Sequence, residues 1–261
     1  MRVTFITQDD PLYILPFFDA FLAQDLGELE ISAIFACRSM GNRSRSKLLM
    51  ELLRLYGPVG FVNLLGIQFI ERAASVMRIS RLTRHAHSIA ELAQLHGVPY
   101  HRIGNPNNAE NFNAIASCRP DVLVSVACPF ILKRPILEMP KRAAINIHHA
   151  PLPRYKGMMP TFWQMYHGEK VAGVTIHTIA DAIDAGDIVY QDSVPIIPDE
   201  SMHNLIRRSK RAGAGAMLHV LQQYASGAEL NPLEQSGESS YFTFPTADEM
   251  RSFRQRGLRA I

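Results

Sequence analysis

Cysteine is scarce in this chain: Cys37, Cys118 and Cys128 are spread through 261 residues and never fall within four positions of one another. Neither a disulfide framework nor a zinc knuckle fits that spacing. No leader is expected either. The opening MRVTFITQDD reaches its acids after only a few apolar residues, too short a run for a signal-peptide core, so no export is expected and a reducing cytoplasm fits best. Long uninterrupted apolar runs are lacking. The nearest, Leu55 to Ile70, is uncharged but broken by Gly57, Pro58, Gly60, Asn63 and Gly66, and its sixteen residues fall below the roughly 18 of a spanning helix. There is no internal repeat and no low-complexity tract. A large excess of one charge is absent as well: 27 Lys and Arg against 24 Asp and Glu give a net charge of +3. That balance suits an anionic substrate but falls short of the basic footprint of a nucleic-acid binder. With 47% apolar and 20% charged residues, the composition is that of a soluble globular protein, long enough for one large domain or a domain with an appendage.

What the sequence does contain is a strand and helix alternation. Arg2 to Thr7 is a β-branched run that opens on Gln8-Asp9-Asp10, and Ile14, Phe17, Phe18, Phe21, Leu22 and Leu26 then recur at helical spacing. Leu29 to Ala36 reads as a second strand, Ile89–Leu95 as a helix giving way to a strand after His96-Gly97-Val98-Pro99, and Asp121 to Ala127 as a strand buried on both faces. Such alternation predicts a parallel α/β sheet with crossover connections. Two stretches interrupt it. Between Gly41 and His87 lie eight basic residues (Arg43, Arg45, Lys47, Arg54, Arg72, Arg78, Arg81 and Arg84) and two acids, Glu51 and Glu71. This insertion, about residues 40–87, has three readings: packing on the core or on a partner subunit, a lid over substrate, or contact with a membrane surface. Ser201 to Ala225 is a long helical pattern whose Arg207, Arg208, Lys210 and Arg211 read as a solvated face. The polar tail from Glu229 turns extended at Tyr241 to Pro245.

Chemistry concentrates at Asn146-Ile-His148-His149-Ala-Pro-Leu-Pro-Arg-Tyr-Lys-Gly157. Asn146 and His148 are two apart in a strand-like run, so both side chains face one side. The Pro and Gly residues that follow end the strand and leave the pair at its carboxyl end, where open parallel sheets bind ligands. A carboxylate in the loop Asp181-Ala-Ile-Asp184-Ala-Gly186-Asp187, after the strand-like Gly173 to Ile179, is placed to orient and charge the imidazole. His149 points to the other face, Asp187 reads as a turn residue, and Trp163 reads as core.

At these residues the sequence resembles the formyltransferases that use 10-formyltetrahydrofolate, the group of methionyl-tRNA formyltransferase, glycinamide ribonucleotide transformylase and the nucleotide-sugar N-formyltransferases. The resemblance spans roughly Arg2 to Val194 and is most specific at Asn146-Ile-His148, Leu152 to Gly157 and Asp184-Ala-Gly-Asp187. It implies a Rossmann-like, mostly parallel sheet of the formyltransferase type, with the catalytic domain at 1–194 carrying the helical insertion and a C-terminal helix plus extended tail at 195–261. The family's trio carries over to Asn146, His148 and Asp184. By the same resemblance the pterin pocket is lined by Val126, Pro129, Phe130, Ile131 and Leu132 on one side and by Ile179, Asp181, Ile183, Gly186 and Asp187 on the other, mostly through backbone. His177 falls on a family position, either supporting the trio or merely packed.

The implied co-substrate is 10-formyltetrahydrofolate, with no metal. The expected acceptor is a small-molecule amine, a nucleotide-linked amino sugar first, with another metabolite amine or glycinamide ribonucleotide as alternatives. Hydrolysis of the donor and a non-catalytic folate binder are the competing classes. No nucleic-acid partner is expected, membrane contact is disfavoured, and a homodimer is one use for the insertion. Two departures bear on the acceptor. Ala150-Pro151 stands where relatives often carry Ser-Leu, and the glycine-rich phosphate loop of the purine enzyme is replaced by Thr7-Gln8-Asp9-Asp10-Pro11.

Overall fold

A computed structural model describes residues 1–38, 45–76 and 86–261. Its seven-stranded sheet has the order β3-β2-β1-β4-β5-β7-β8. β1 (Arg2–Gln8), β2 (Glu30–Cys37), β3 (Tyr100–Ile103), β4 (Val122–Val126) and β5 (Ala143–His148) run parallel. β7 (Val171–Thr178) is antiparallel to β5, and β8 (Ile188–Pro195) is antiparallel to β7. The fold class is therefore α/β with a mostly parallel sheet. Every residue of β4 is buried, as its unbroken apolar sequence requires of a strand covered on both faces.

Helix α1 (Leu15–Leu22) begins with Pro16 in its first turn, where a missing N–H costs nothing, and buries Phe17, Phe18 and Phe21 around Phe5 of β1. α3 (Ile89–Leu95) is capped by the Ser88 hydroxyl, which accepts the Glu91 N–H. α4 (Ala109–Ser117) and the short α5 (Arg134–Leu137) connect the parallel strands. β6 (Lys156–Gly157) and α6 (Pro160–Tyr166) follow β5.

The long amphipathic helix α7 (Met202–Ala225) packs on α1, β7 and β8. At Gly213 it comes so close to β5 that a Cβ would stand 2.7 Å from the Ile147 side chain and 3.0 Å from the His149 ring. Within the run from Ala212 to Ala216 it is Gly213 that permits this approach, since a Cβ at Gly215 would meet nothing within 4 Å. Lys210 departs from the solvated face expected of it: it is buried, while Arg207 donates to the Leu12 carbonyl and Arg208 pairs with Glu200. The helix turns about 100° per residue, so four basic residues spread over the five positions from 207 to 211 cannot all share the solvent face.

The tail is only partly extended. Tyr241–Phe242 forms β9, which pairs in parallel with β6. Beyond it the chain forms α8 (Ala247–Gln255), which opens on a capping box of Thr246 and Glu249.

The described part of the insertion is α2 (Arg45–Val76), kinked at Gly57, whose φ of 68° and ψ of 172° are non-helical. Leu55, Tyr56 and Leu64 are buried, the Tyr56 hydroxyl bonds that of Tyr13 at 2.6 Å, and α2 packs on α8. Val59, Val62, Phe69 and Ile70 are exposed. Apolar helix extends further than the sixteen residues counted from sequence. Leu49–Ile70 covers 22 residues at a mean hydropathy of 1.3, long and apolar enough to cross a membrane by length and composition alone, although Gly57 breaks it. The difference arises because Glu51 and Arg54 are diluted by the residues around them. Arg43, Arg78, Arg81 and Arg84 of the basic cluster lie outside the described residues.

Candidate active site

Asn146 and His148 project from the same face of β5, and antiparallel pairing sets His177 of β7 opposite Asn146. After Thr178 the chain leaves β7 and folds back over this face, bringing Asp184 to the two histidines. The Asp184 carboxylate lies 3.5 Å from His148 Nδ1 and 3.7 Å from His177 Nε2, and accepts the Gly157 N–H at 2.9 Å. Asp184 adopts a left-handed conformation, φ 52°, which Asp tolerates better than most residues. The loop is held tightly at Gly186, where a Cβ would sit 1.7 Å from the Thr178 carbonyl oxygen. No side chain fits there without moving the loop.

Hydrogen-bond chemistry sets the tautomers. His177 Nδ1 faces the Thr178 carbonyl at 2.7 Å, and a carbonyl only accepts, so Nδ1 carries the proton. Nε2 is then free to accept the Asn146 amide N–H at 3.0 Å. Burial lowers the His177 pKa to about 4, against the opposing pull of Asp184, which keeps this ring neutral and an acceptor. Asn146 is thereby oriented with its amide nitrogen toward His177 and one N–H unspent. His148 Nε2 faces the Tyr155 carbonyl at 2.8 Å while Nδ1 faces Asp184, so both ring nitrogens look at acceptors. That surrounding is complementary to an imidazolium. His148 and the Asp184 side chain are 7% and 10% exposed, whereas Asn146 is half-buried and marks the open side of the trio.

The remaining sequence-predicted residues divide by exposure. Val126 and Leu132 are buried, and Pro129 and Phe130 are half-buried. Ile131 and Ile183 are exposed, as are Asp181 and Asp187; Ile179 is half-buried and packs with Leu132 and Phe130 in one apolar cluster. His149 points away from the trio, bonds Ser209 at 2.9 Å through Nδ1, and is held neutral by burial. Trp163 is core: it stacks on Phe242 and donates to the Thr243 carbonyl. Two cavities lie apart from the trio. One of about 530 Å³ lies among Met165, Ile196, Arg256 and Arg259, and one of about 380 Å³ among Pro151, Arg154, Gln191 and Asp192. Among the described residues no group of His, Cys, Asp and Glu could hold a metal ion.

Sequence reasoning missed two features near the site. Gln235, in the polar tail, donates its side-chain amide to the carbonyls of Asp184 and Gly186, at 2.8 and 2.7 Å. No local pattern marks it. Buried Lys210 lies near Asp10 and His149, its pKa lowered to about 8 by burial.

A mostly parallel sheet thus gathers an amide, two imidazoles and a carboxylate at one strand face. A sequence profile described as formyl transferase matches residues 60–221, and the chain belongs to that family. A methionyl-tRNA formyltransferase of Trichlorobacter lovleyi is 31% identical over 153 residues, which cover 59% of this chain and 48% of that one. The chain spans about half the length of the curated relatives it matches. Two solved structures share the fold. Glycinamide ribonucleotide transformylase 1 from Symbiobacterium toebii superposes with a TM-score of 0.59 at 16% identity, covering 91% of this chain and 94% of its own. A sugar 3N-formyl transferase, solved in the presence of dTDP and 5-N-formyl-THF, superposes with a TM-score of 0.58 at 16% identity, covering 100% of this chain and 82% of its own.

Proposed function

We propose that the protein transfers the formyl group of 10-formyltetrahydrofolate to the amine of a small molecule, with a nucleotide-linked amino sugar as the leading acceptor class. The observation that carries the reading is the convergence of Asn146, His148 and Asp184 on one face of β5 in a chain of the formyl transferase family. In this reading the acceptor amine attacks the formyl carbon and a C–N bond forms. The carbonyl oxygen becomes an oxyanion, which the unspent N–H of Asn146 stabilises, a contact whose loss typically costs ~10²–10³ in rate. His148, its ring nitrogens facing Asp184 and the Tyr155 carbonyl, moves the proton released by the attacking nitrogen toward N10, and Asp184 stabilises its imidazolium form. The tetrahedral intermediate then collapses, the bond to N10 breaks, and the proton passes to N10, leaving tetrahydrofolate.

The residues present fit that donor. Phe130 and Leu132 share an apolar cluster with Ile179, and at Gly186, which packs against the Thr178 backbone, the loop offers backbone groups alone. We assign pterin binding to these two segments. The acceptor reading draws on the sugar 3N-formyl transferase fold neighbour, which covers the whole of this chain, and on the replacement of a glycine-rich phosphate loop by Thr7 to Pro11. A second reading, methionyl-tRNA as acceptor, is favoured by the names of the curated relatives. Incubation with 10-formyltetrahydrofolate and, separately, a nucleotide-linked amino sugar, glycinamide ribonucleotide, methionyl-tRNA or buffer distinguishes them. We expect tetrahydrofolate release with the amino sugar. Release with methionyl-tRNA alone would establish the second reading, and formate in buffer would indicate a hydrolase.

A further inference from the structure

We propose that the C-terminal tail from Leu233 to Phe242 is a strap that sets the geometry of the Asn146, His148 and Asp184 trio, and that Gln235 is its principal positioning residue. The inference rests on the function proposed above.

The strap touches the Asp184 loop, Tyr155 and β6, three segments that meet His148 or Asp184. Leu233 exchanges both backbone hydrogen bonds with Ile188, at 2.8 Å each, which anchors the tail just past the Asp184 loop. Two residues on, the Gln235 amide donates to the Asp184 and Gly186 carbonyls together. Those bonds close over a residue in the left-handed conformation and over the tightest point of the loop. The Ser240 hydroxyl then accepts the Tyr155 N–H at 2.9 Å, fixing the residue whose carbonyl faces His148 Nε2. Finally β9 pairs with β6, and Phe242 O accepts the Met158 N–H. β6 contains Gly157, whose N–H is donated to the Asp184 carboxylate. At Gly157 a Cβ would stand 2.3 Å from the Phe242 carbonyl oxygen, so glycine there permits the contact.

Of these contacts only the one at Gln235 reaches Asp184 itself. Both atoms it meets are carbonyl oxygens, so the bond depends on the two amide N–H donors and not on side-chain shape. Its own Oε1 is buried and has no partner. A side chain held by its donors alone, with its acceptor left unused, is placed for the loop and not for its own satisfaction.

The donor requirement provides the test. Gln235→Met keeps length and removes both donors. Gln235→Glu removes them when ionised and restores one O–H when protonated, and its carboxyl faces two carbonyls, which favour the neutral form. Formyl transfer and hydrogen exchange of the 178–188 amides are compared with the unaltered protein at about pH 8 and pH 5. We expect both variants at pH 8 to transfer about tenfold more slowly and to exchange the loop amides faster. At pH 5 Gln235→Glu regains most of the unaltered protein's rate at that pH, and Gln235→Met does not. Equal exchange and turnover in Gln235→Met, or an equal deficit of both variants at both pH values, would overturn the proposal. Titration with 5-formyltetrahydrofolate runs alongside. If the unaltered protein binds none of it and transfers nothing, the functional reading fails, while the exchange rates still decide whether Gln235 clamps the loop.

Discussion

Asp184→Asn is the perturbation that isolates charge from shape. Asparagine tolerates the left-handed backbone at this position, its carboxamide oxygen still accepts the Gly157 N–H, and its volume is nearly unchanged. What disappears is the negative charge 3.5 Å from His148 Nδ1. Two unit charges at that distance, in an effective dielectric of ~20, attract by about 5 kcal/mol. The amide dipole retains part of that, so a loss of about 3 to 4 kcal/mol at the imidazolium stage is expected, or ~10²–10³ in turnover. Steady-state formyl transfer is measured beside thermal unfolding and 5-formyltetrahydrofolate binding. The variant should melt within a few degrees of the parent and bind the folate with similar affinity. A folded variant that turns over within about threefold of the parent would refute the reasoning, because the charge would then be idle in the rate-determining step.

His177 gives a stability signature in acid. Burial holds its folded pKa at about 4 against 6.5 when unfolded, so stability is full above pH 6.5 and is lost as pH falls toward 4, by at most about 3 kcal/mol. Denaturant titrations at pH 7 and pH 4.5 should show His177→Asn losing less stability than the parent; parallel losses would remove His177 from the account. Lys210 carries the same sign in a more alkaline window. Its folded pKa of about 8 lies below the unfolded 10.5, so burying the ammonium costs about 3 kcal/mol below pH 8, relieved as pH rises toward 10.5. The stability of the parent relative to Lys210→Met should therefore improve between pH 7 and pH 10, and a pH-independent difference would contradict that origin. Gly186→Val forces the loop off the Thr178 carbonyl and should weaken 5-formyltetrahydrofolate binding at least tenfold, judged by titration calorimetry; unchanged affinity would place the pterin pocket elsewhere.

Periodicity made the sheet legible. β-Branched and apolar runs at Arg2 to Thr7 and Asp121 to Ala127 lie within a residue or two of β1 and β4, and Ile89–Leu95 is matched end to end. Asn146 and His148 were placed on a common face by the two-residue repeat of a strand, which is a local property. Their meeting with Asp184 was not local. It depends on β7 running antiparallel and the following loop folding back, and only the resemblance of the motifs brought Asp184 into the site. α8 was missed although Thr246 and Glu249 carry the spacing of a capping box, because the segment is mostly polar and only Met250 and Phe253 are buried in it. Gln235 left no trace at all, since a glutamine that donates to two carbonyls across 51 and 49 residues has no sequence period to betray it. Lys210 was misplaced because charge argued for solvent, whereas the geometry of α7 turned it toward Asp10.

The central claim, formyl transfer at the β5 face, is tested most directly by following the formyl carbon itself. 10-Formyltetrahydrofolate carrying an isotopic label in the formyl group is incubated with a nucleotide-linked amino sugar and either the parent protein or His148→Ala, and the products are resolved by mass. The account predicts labelled N-formyl sugar from the parent and ~10²-fold less or lower from the variant. Label remaining on the folate, or equal labelled product from both proteins, would contradict it.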